Sequence, residues 1–147
     1  MRKPGTQLIL VVLVFSMLTA MGCSTMGDVV GKKEEGTTQV YPVNPDQAWE
    51  IAKVVFRTEG TDAIEEHRTD GYMLTSSGMN LVSWGAVMGA WVEPMAEGQT
   101  KVTVLTKRRI TINVATTLME STFHRRFAQG VKIVKAGTPL PPLLPPE

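Results

Sequence analysis

The sequence predicts an α+β domain in which an antiparallel sheet of about four to five strands carries two helices on one face. Two observations lead to this prediction. The periodic segments follow the order strand, helix, run of strands, helix. The strand segments are short and rich in alternating residues, whereas both helical segments have a wide apolar face. The other face of such a sheet would be polar and exposed to solvent.

The first two elements are "TTQVYPV" and "NPDQAWEIAKVVFRTEG". The former favours a strand because it is rich in Thr, Val and Tyr. At the start of the latter, Asn44 can cap a helix, Pro45 suits its first position and Gln47 completes a capping-box spacing. Trp49 and Phe56 belong to an apolar face at helical spacing, so we expect both to be buried in the core.

A run of strands follows this helix. "DAIEEHRTDGYMLTSS" predicts a hairpin that turns at Asp70-Gly71, because both residues accept a positive φ. "LVSWGAVMGAWVEP" combines glycines, a proline and β-branched and aromatic residues, which favours a bulged strand over a helix. "TKVTVLTKRRITINV" alternates and predicts one long strand, or two strands broken near residues 107–109.

The last element is an amphipathic helix in "LMESTFHRRFAQ". Thr117 and Glu120 have capping-box spacing, which predicts that the helix begins near Thr117. Phe123 and Phe127 lie four residues apart on its apolar stripe. Gly130 is a candidate end of the helix, and the "VKIV" that follows either continues it or forms a short strand.

The N-terminus has the pattern of a secretory signal peptide. Arg2 and Lys3 precede the apolar run "LILVVLVFSML", and small residues follow the run. The run is shorter than the roughly 20 apolar residues that a membrane-spanning helix needs. The pattern therefore predicts export, with an ordinary signal peptide or an uncleaved anchor as alternatives to a lipoprotein signal.

The stretch "AMGC", residues 20–23, resembles a bacterial lipobox, although Ala20 stands where leucine is usual. The resemblance implies that residues 1–22 are a signal peptide removed before Cys23, the only cysteine. It also implies that the Cys23 sulfur carries diacylglycerol and that its amino group carries a fatty acid such as palmitate. Ser24 resembles the outer-membrane sorting signal of enterobacterial lipoproteins. The implied location is the periplasmic face of the outer membrane, more than the inner membrane.

Composition divides the remaining chain into three parts. Residues 23–36 are Gly-rich and charged with little periodicity, which predicts a lipidated flexible tether with a reach of about 45 Å. Residues 37–136 form the domain, and residues 137–147 a proline-rich extended tail. Without residues 1–22 the 15 Lys+Arg fall by two, which leaves 13 against 14 Asp+Glu. This near-neutral charge gives no argument for nucleic acid as a partner.

The sequence contains no motif of a hydrolase nucleophile, P-loop or zinc protease, so we expect no enzymatic activity, no cofactor and no metal. The two histidines, His67 and His124, are far apart in sequence, and each is expected at the surface beside an acidic residue.

Basic residues supply one candidate site. They are Lys107, Arg108, Arg109, Arg125 and Arg126. If the strand end and the last helix lie together, these side chains could contact phosphate or carboxylate groups. The alternative is an ordinary solvated polar surface.

The tail supplies a second candidate. Pro139, Pro142 and Pro145 belong to "PLPP" and "PLLP", whose P-x-x-P spacing suits the aromatic grooves of partner proteins. The alternatives are a disordered terminus or docking through the leucines that lie between the prolines. Because the tail has no periodic apolar face, we expect its deletion to leave stability unchanged.

The element order and the "AWEIAK" helix resemble small outer-membrane lipoprotein domains, such as the repeated domains in the C subunit of the β-barrel assembly machine. The resemblance covers about residues 38–135 and implies a helix-grip domain that binds partners. The first hypothesis is therefore a non-enzymatic envelope lipoprotein that binds a protein partner or supports envelope assembly or maintenance. The alternative is a lipoprotein that holds a lipid or small apolar ligand between sheet and helices, with "SWGAVMGAW" lining the pocket.

Overall fold

The computed structural model describes residues 26–61, 63–77, 85–108 and 119–146. The described part of the chain forms the strands β1 (Thr37–Tyr41), β2 (Ile64–His67), β3 (Tyr72–Ser77), β4 (Ala86–Pro94) and β5 (Thr100–Arg108). Its α-helices are α1 (Met26–Val30), α2 (Pro45–Thr58) and α3 (Glu120–Lys135). Single 3-10 turns lie at Lys33–Glu35, Arg68–Asp70 and Ala96–Gly98.

The strands form one antiparallel sheet in the order β1-β5-β4-β3-β2. β4 and β5 are its longest strands and pair from Ala86↔Arg108 to Pro94↔Thr100. β1, which precedes α2 in the chain, pairs with β5 at the opposite edge from β2. The α+β class and the order strand, helix, strands, helix are confirmed.

Helices α2 and α3 cover one face of the sheet and enclose the main core. Strand alternation directs Met88, Ala90 and Val92 of β4 toward these helices. α2 begins as the sequence predicts: the Gln47 amide donates to Asn44 Oδ1 at 2.9 Å, and the Asn44 amide donates to Gln47 Oε1 at 3.1 Å. Local punctuation was therefore sufficient to place this helix.

Helix α3 begins three residues after the predicted Thr117 and without a side-chain cap, and it continues past Gly130, as one of the two alternatives for "VKIV" predicts. α3 begins at Glu120, and the Glu120 carboxylate accepts hydrogen bonds from the Thr106 amide and the Thr37 hydroxyl, so it joins the helix to β5 and β1. Thr117 lies outside the described residues. The helix continues through Gly130 to Lys135.

Gly130 has a packing role, because a Cβ at this position would lie only 2.7 Å from Ile51 Cγ2 of α2. The absence of a side chain lets α2 and α3 approach closely. A glycine inside a helix therefore marks a helix–helix contact here rather than a helix end.

The hairpin turn lies where the sequence predicts it. Residues Arg68–Asp70 form a 3-10 turn, and Gly71 follows at φ 73°, in the left-handed region that glycine adopts without strain. The turn therefore uses the Asp-Gly pair at its end, and the Arg68 side chain projects from its first position.

The centre of the second face of the sheet is covered, whereas its edge strands β1 and β2 remain exposed there, so the prediction of a solvated face is wrong for the centre. A small apolar cluster forms there from Val29, Leu74, Val87, Trp91 and Leu105. Its Val29 belongs to α1 and is fully buried. A domain with apolar residues on both faces of its sheet has two cores, and the smaller core depends on a residue that precedes the predicted domain.

Residues 26–36 are therefore part of the folded domain, contrary to the prediction that residues 23–36 form a flexible tether. Besides α1, the segment contains the 3-10 turn Lys33–Glu35 and a close approach at Gly36. A Cβ on Gly36 would lie 2.6 Å from the Val104 carbonyl oxygen of β5. Residues 23–25, which include Cys23, lie outside the described residues.

The proline-rich tail folds back onto the main core. Leu144 is 5% exposed and belongs to that core, and Leu140 packs against it. The Leu144 amide donates to Thr58 Oγ1 at 3.0 Å, and Gln129 Nε2 donates to the Pro145 carbonyl at 3.2 Å. The sequence predicted that deletion of the tail leaves stability unchanged, whereas these contacts favour a contribution of the tail to stability.

Candidate functional site

A cleft of about 390 Å³ lies between the first turn of α2, the turn after β2 and the end of β4. It is the candidate functional site and is called the α2 cleft below. Its lining residues are Pro45, Asp46, Trp49, Arg68, Thr69, Asp70, Gly71, Val92, Glu93 and Pro94. Apolar side chains and charged side chains from three elements meet in it.

Trp49 connects the α2 cleft to the core. Its side chain is 3% exposed, which confirms the predicted core position. Its Nε1 donates to Glu66 Oε2 at 2.7 Å, and the Arg68 guanidinium lies 5.3 Å from the ring centroid. The sequence predicted the burial of Trp49 from helical spacing, but it contained no signal that the turn arginine would fold back over the ring. Trp49 is therefore both a core residue and part of a cation–π contact at the surface.

Ion pairs surround this contact. Arg68 Nη2 lies 3.5 Å from Asp46 Oδ1 and 3.9 Å from Glu50 Oε1, and Lys53 Nζ lies 3.0 Å from Glu66 Oε1. The hydrogen bond from Trp49, with smaller contributions from Lys53 and Arg68, holds the pKa of Glu66 below its usual range. Glu66 is thus a stable anion at neutral pH that joins β2 to α2.

At the other rim of the cleft, Glu93 joins two segments of the chain. Its Oε2 lies 2.8 Å from Lys33 Nζ and 3.0 Å from Lys101 Nζ. Burial alone would raise the pKa of Glu93, but the hydrogen bonds and charges of the two lysines outweigh it, so the pKa is lowered. Because both lysines engage Glu93 at short range, the acidic groups of the cleft that remain most available to an incoming cation are Asp46 and Asp70, both exposed.

His124 is buried, contrary to the prediction that it lies at the surface beside an acid. It is 3% exposed, with Nε2 2.9 Å from the Thr37 carbonyl oxygen and Nδ1 2.8 Å from the Tyr41 hydroxyl. Since a carbonyl only accepts, Nε2 carries a proton and the Tyr41 hydroxyl donates to Nδ1 of the neutral ring. Burial lowers the pKa of His124, against the opposing effects of Thr37 and Glu120, and burial raises the pKa of Tyr41.

His67 lies where the sequence predicts it, partly exposed beside an acid. Its Nε2 is 2.5 Å from Glu65 Oε1, and its ring stacks on Tyr72 with centroids 4.5 Å apart. The two histidines thus occupy different environments, and neither lines the α2 cleft.

The five basic residues do not form one surface. Lys107 shares the strand face of Leu105, on the α1 side of the sheet, and pairs with Glu35. Arg126 lies on α3, on the opposite side, with its Nε 2.5 Å from Glu59 Oε1. Strand alternation places Lys107 on the α1 side of the sheet, whereas Arg126 belongs to a helix that covers the other side. The prediction of a joint anion-binding surface therefore fails for these two residues.

The other described members of this group are not separated by the sheet. Arg108 has the strand parity of Val104, which puts it on the α3 side at the exposed end of β5, and Arg125 is exposed on α3, so their joint contact with an anion stays a prediction. Arg109 lies outside the described residues. In the tail, Pro139, Pro142 and Pro145 are exposed, while Leu140 and Leu144 make the contacts with the core.

The space between the helices and the sheet is occupied by large side chains. Phe56, Phe123, Phe127, Met73 and Met88 are fully buried there. The Phe56 and Phe123 ring centroids lie 5.3 Å apart, and those of Phe123 and Phe127 lie 5.8 Å apart. This arrangement favours a packed core over an apolar-ligand pocket.

The glycine-rich "SWGAVMGAW" does not open this space either. Gly89 faces the smaller core, where a Cβ would lie 2.8 Å from Val29 Cγ1 and 2.9 Å from Trp91 Cη2. The room that Gly89 leaves is filled by α1. Residues 83–84 of this stretch lie outside the described residues.

Within residues 26–61, 63–77, 85–108 and 119–146, no three His, Cys, Asp or Glu side chains converge as metal ligands would. In the same ranges, no helix combines the length and the apolar character needed to cross a bilayer.

Comparison with known proteins yields a weak structural likeness. No known family matches the chain, and no curated protein matches it in sequence. The chain is similar to the structure titled "Crystal structure of Ara h 8.0201", with 13% identity over 69% of this chain and 96% of that one, at a TM-score of 0.39. A likeness at this level carries no argument. The lipobox and the resemblance to small outer-membrane lipoprotein domains stay predictions.

Proposed function

We propose that this protein is a non-enzymatic lipoprotein of the bacterial envelope, anchored through an acylated Cys23, that binds a protein partner or supports envelope assembly or maintenance. The observation that carries the proposal is the position of Cys23. It follows the signal-peptide pattern directly and precedes Met26, the first residue of α1, by three positions. A lipid on Cys23 would therefore be held beside the domain without entering either core. We assign the anchored protein to the periplasmic face of the outer membrane.

The side chains whose pKa values are shifted have structural roles, which supports the proposal of a non-enzymatic protein. Glu66 and Glu93 each bridge two elements of the fold. His124 and Tyr41 are hydrogen-bonded to each other between α3 and β1. These perturbed pKa values are explained by structural contacts, which are a common cause of such shifts besides catalysis.

The α2 cleft is the surface that we assign to the protein partner. The exposed carboxylates of Asp46 and Asp70 attract a positive side chain, and the cleft floor is the Trp49 ring, which already accepts a guanidinium on its face. A lysine or arginine of a partner could therefore displace Arg68, whose side chain is 55% exposed. We propose that the partner presents a basic segment to this cleft.

The anchor is tested by labelling the full-length protein with a fatty-acid analogue in a bacterial host. We expect an acylated N-terminal peptide that begins at Cys23, detected by mass spectrometry. The Cys23→Ser variant should remain an unlabelled precursor, since only sulfur accepts the diacylglyceryl group in this pathway. A processed protein with an unmodified Cys23 would contradict the lipoprotein proposal.

The partner surface is tested by site-specific photo-crosslinking in membranes of cells that make the full-length protein. A crosslinking residue at Thr69, exposed in the cleft, should capture a protein, and one at Lys132, exposed on α3, should not. The matched charge reversal Asp46→Lys should reduce the Thr69 adduct. Equal capture at both positions, or an adduct insensitive to Asp46→Lys, would remove the cleft from the proposal.

A further inference from the structure

We infer that the domain lies directly on the membrane that holds its lipid, with the α1 side of the sheet toward the lipid surface and the α2 cleft open on the other side. This inference rests on the proposed acylation of Cys23. The sequence predicted a flexible tether with a reach of about 45 Å. The inference replaces it with a short attachment that fixes which side of the domain faces the membrane. It concerns which surface of the domain meets the bilayer.

The chain between the anchor at Cys23 and the first helix is short. Cys23 and Met26 are three residues apart, and a fully extended chain covers at most about 3.5 Å per residue. The lipidated residue can therefore lie no more than about 10 Å from the start of α1. This distance is smaller than the width of the domain, so the anchor cannot allow all faces of the domain equal access to the bilayer.

Helix α1 is fixed to the sheet by its packing. Val29 is fully buried and contacts the space above Gly89, where even a methyl group would be 2.8 Å from Val29 Cγ1. The surrounding apolar cluster, with Leu74, Trp91 and Leu105, would be exposed to water if α1 detached. The hydrophobic cost of that exposure keeps α1 in place.

The chain after α1 is also held against the sheet. Lys33 pairs with Glu93 of β4, and Glu35 pairs with Lys107 of β5. Gly36 lies so close to β5 that no side chain would fit. Two strands thus hold the segment that connects the anchor to β1, and the direction of the attachment is fixed relative to the sheet.

The surface around α1 presents a few residues that suit a membrane interface and is not strongly basic. Met26 and Tyr72 are partly exposed beside the smaller core, and Lys32 is exposed after α1. Tyr and Lys side chains of this kind suit the bilayer interface. Acidic residues, Asp28 and Glu34, lie in the same segment, so net charge does not hold the domain to anionic lipid. The covalent anchor, rather than electrostatic attraction, determines the orientation.

The orientation leaves the candidate partner site accessible. Trp49 and Val92 of the α2 cleft belong to the α2 side of the sheet, opposite Val29 and Trp91, and at the rim of the cleft Glu93 of β4 has the strand parity of Trp91. A protein partner can therefore reach the cleft while the α1 side rests on lipid.

The test uses the acylated protein, purified from membranes and placed in vesicles of phosphatidylethanolamine and phosphatidylglycerol with a quencher on the lipid headgroups. A fluorophore is attached at Lys32→Cys, on the α1 side, or at Lys132→Cys, on α3. Because successive packed layers lie about 10 Å apart, quenching should be at least about threefold stronger at position 32 than at position 132. Equal quenching at the two positions would overturn the inference.

A linker variant controls for the length of the attachment. Fifteen Gly/Ser residues inserted between Thr25 and Met26 add a flexible chain with an end-to-end distance of about 20 Å. We expect this insertion to remove most of the difference between positions 32 and 132, and an undiminished difference would mean that the short attachment is not its cause. Mass spectrometry of the same samples separates the two proposals: acylated Cys23 with equal quenching contradicts only the orientation, whereas unmodified Cys23 contradicts both.

Discussion

Leu143 and Leu144 allow a direct test of whether the tail is part of the fold. The two residues are chemically identical neighbours, but Leu144 is 5% exposed in the main core and Leu143 is 55% exposed. Truncating a buried leucine to alanine removes its transfer free energy and leaves a cavity that the surroundings only partly fill. We therefore expect Leu144→Ala to destabilise the protein and Leu143→Ala to leave it almost unchanged.

The expected magnitude follows from the position of Leu144 at the end of the chain. Buried Leu→Ala substitutions cost about 2–5 kcal/mol, and a terminal segment can relax more than a central strand, so about 2–3 kcal/mol is expected. For a domain of this size, that loss lowers the thermal midpoint by about 8–12 °C. Leu143→Ala should stay within about 0.5 kcal/mol, as for other exposed positions.

The assay is thermal and denaturant unfolding of a chain that begins at residue 24, followed by circular dichroism. Thr58→Val supplies a second comparison, since it removes the hydroxyl that accepts the Leu144 amide at 3.0 Å. We expect it to cost about 1 kcal/mol in the wild-type background and less when Leu144 is already alanine. If Leu144→Ala and Leu143→Ala have the same midpoint, the docking of the tail is refuted.

Three further predictions concern the main core. Trp49→Ala should cost about 3–5 kcal/mol in denaturant unfolding, and Trp49→Phe, which keeps a ring but loses the bond to Glu66, should cost less. Gly130→Ala should destabilise by about 1–3 kcal/mol, although helix propensity alone predicts the opposite sign, because its Cβ meets Ile51 Cγ2. The lowered pKa of His124 means that the unfolded state binds more protons, so stability should be complete above the unfolded pKa near 6.5 and fall as pH falls below it; His124→Gln should remove this slope in pH-dependent melts.

Each of these predictions has a result that would contradict it. An unchanged unfolding midpoint for Trp49→Ala would mean that the ring is not a core residue. A stabilised Gly130→Ala would show that α2 and α3 can separate at little cost, and Ile51→Leu, which removes Cγ2, should ease the strain if the contact is real. If stability still falls with pH above pH 5 in His124→Gln, the pH dependence belongs to another group. Carboxylates with a lowered pKa, such as Glu66, titrate below pH 5 and do not account for such a slope.

Local signals predicted the elements that local interactions build. The capping box of Asn44 and Gln47, the spacing of Trp49 and Phe56 and the turn at Gly71 all depend on residues that are near one another in sequence. These signals were enough for the α+β class. They failed at the start of α3, where Glu120 bonds to β5 and β1 instead of completing a local cap.

The parts that sequence reasoning missed depend on distant contacts. Nothing in "MGDVVG" distinguishes Val29 from a solvent-exposed valine, since its partners are on β3, β4 and β5. The same holds for Leu144, whose amide donates to Thr58 of α2, and for the fold-back of Arg68 over Trp49. Lys107 and Arg126 were grouped by sequence charge, and only the placement of the helices on the sheet shows that they face opposite sides.

These distant contacts lead to a last prediction, about the limits of the domain. A chain of residues 37–136, the domain predicted from sequence, lacks Val29 of the smaller core and Leu144 of the main core. Burial of a Val or Leu side chain contributes about 1.5–3 kcal/mol, and neighbouring residues of both segments add to it, so removing both segments should cost at least about 4 kcal/mol. Since domains have a total stability of roughly 5–15 kcal/mol, residues 37–136 should be marginal or unfolded.

The same prediction can be made quantitative by removing the two segments separately. Residues 26–36 lie against one face of the sheet and residues 139–146 against the helices on the other, so they share few contacts. Effects of well-separated sites add to within about 0.5 kcal/mol. Denaturant unfolding of chains 37–146, 26–138 and 37–138, compared with 26–146, should therefore give additive losses. A loss confined to one segment, or a double deletion no worse than either single one, would show that the two ends do not stabilise separate cores.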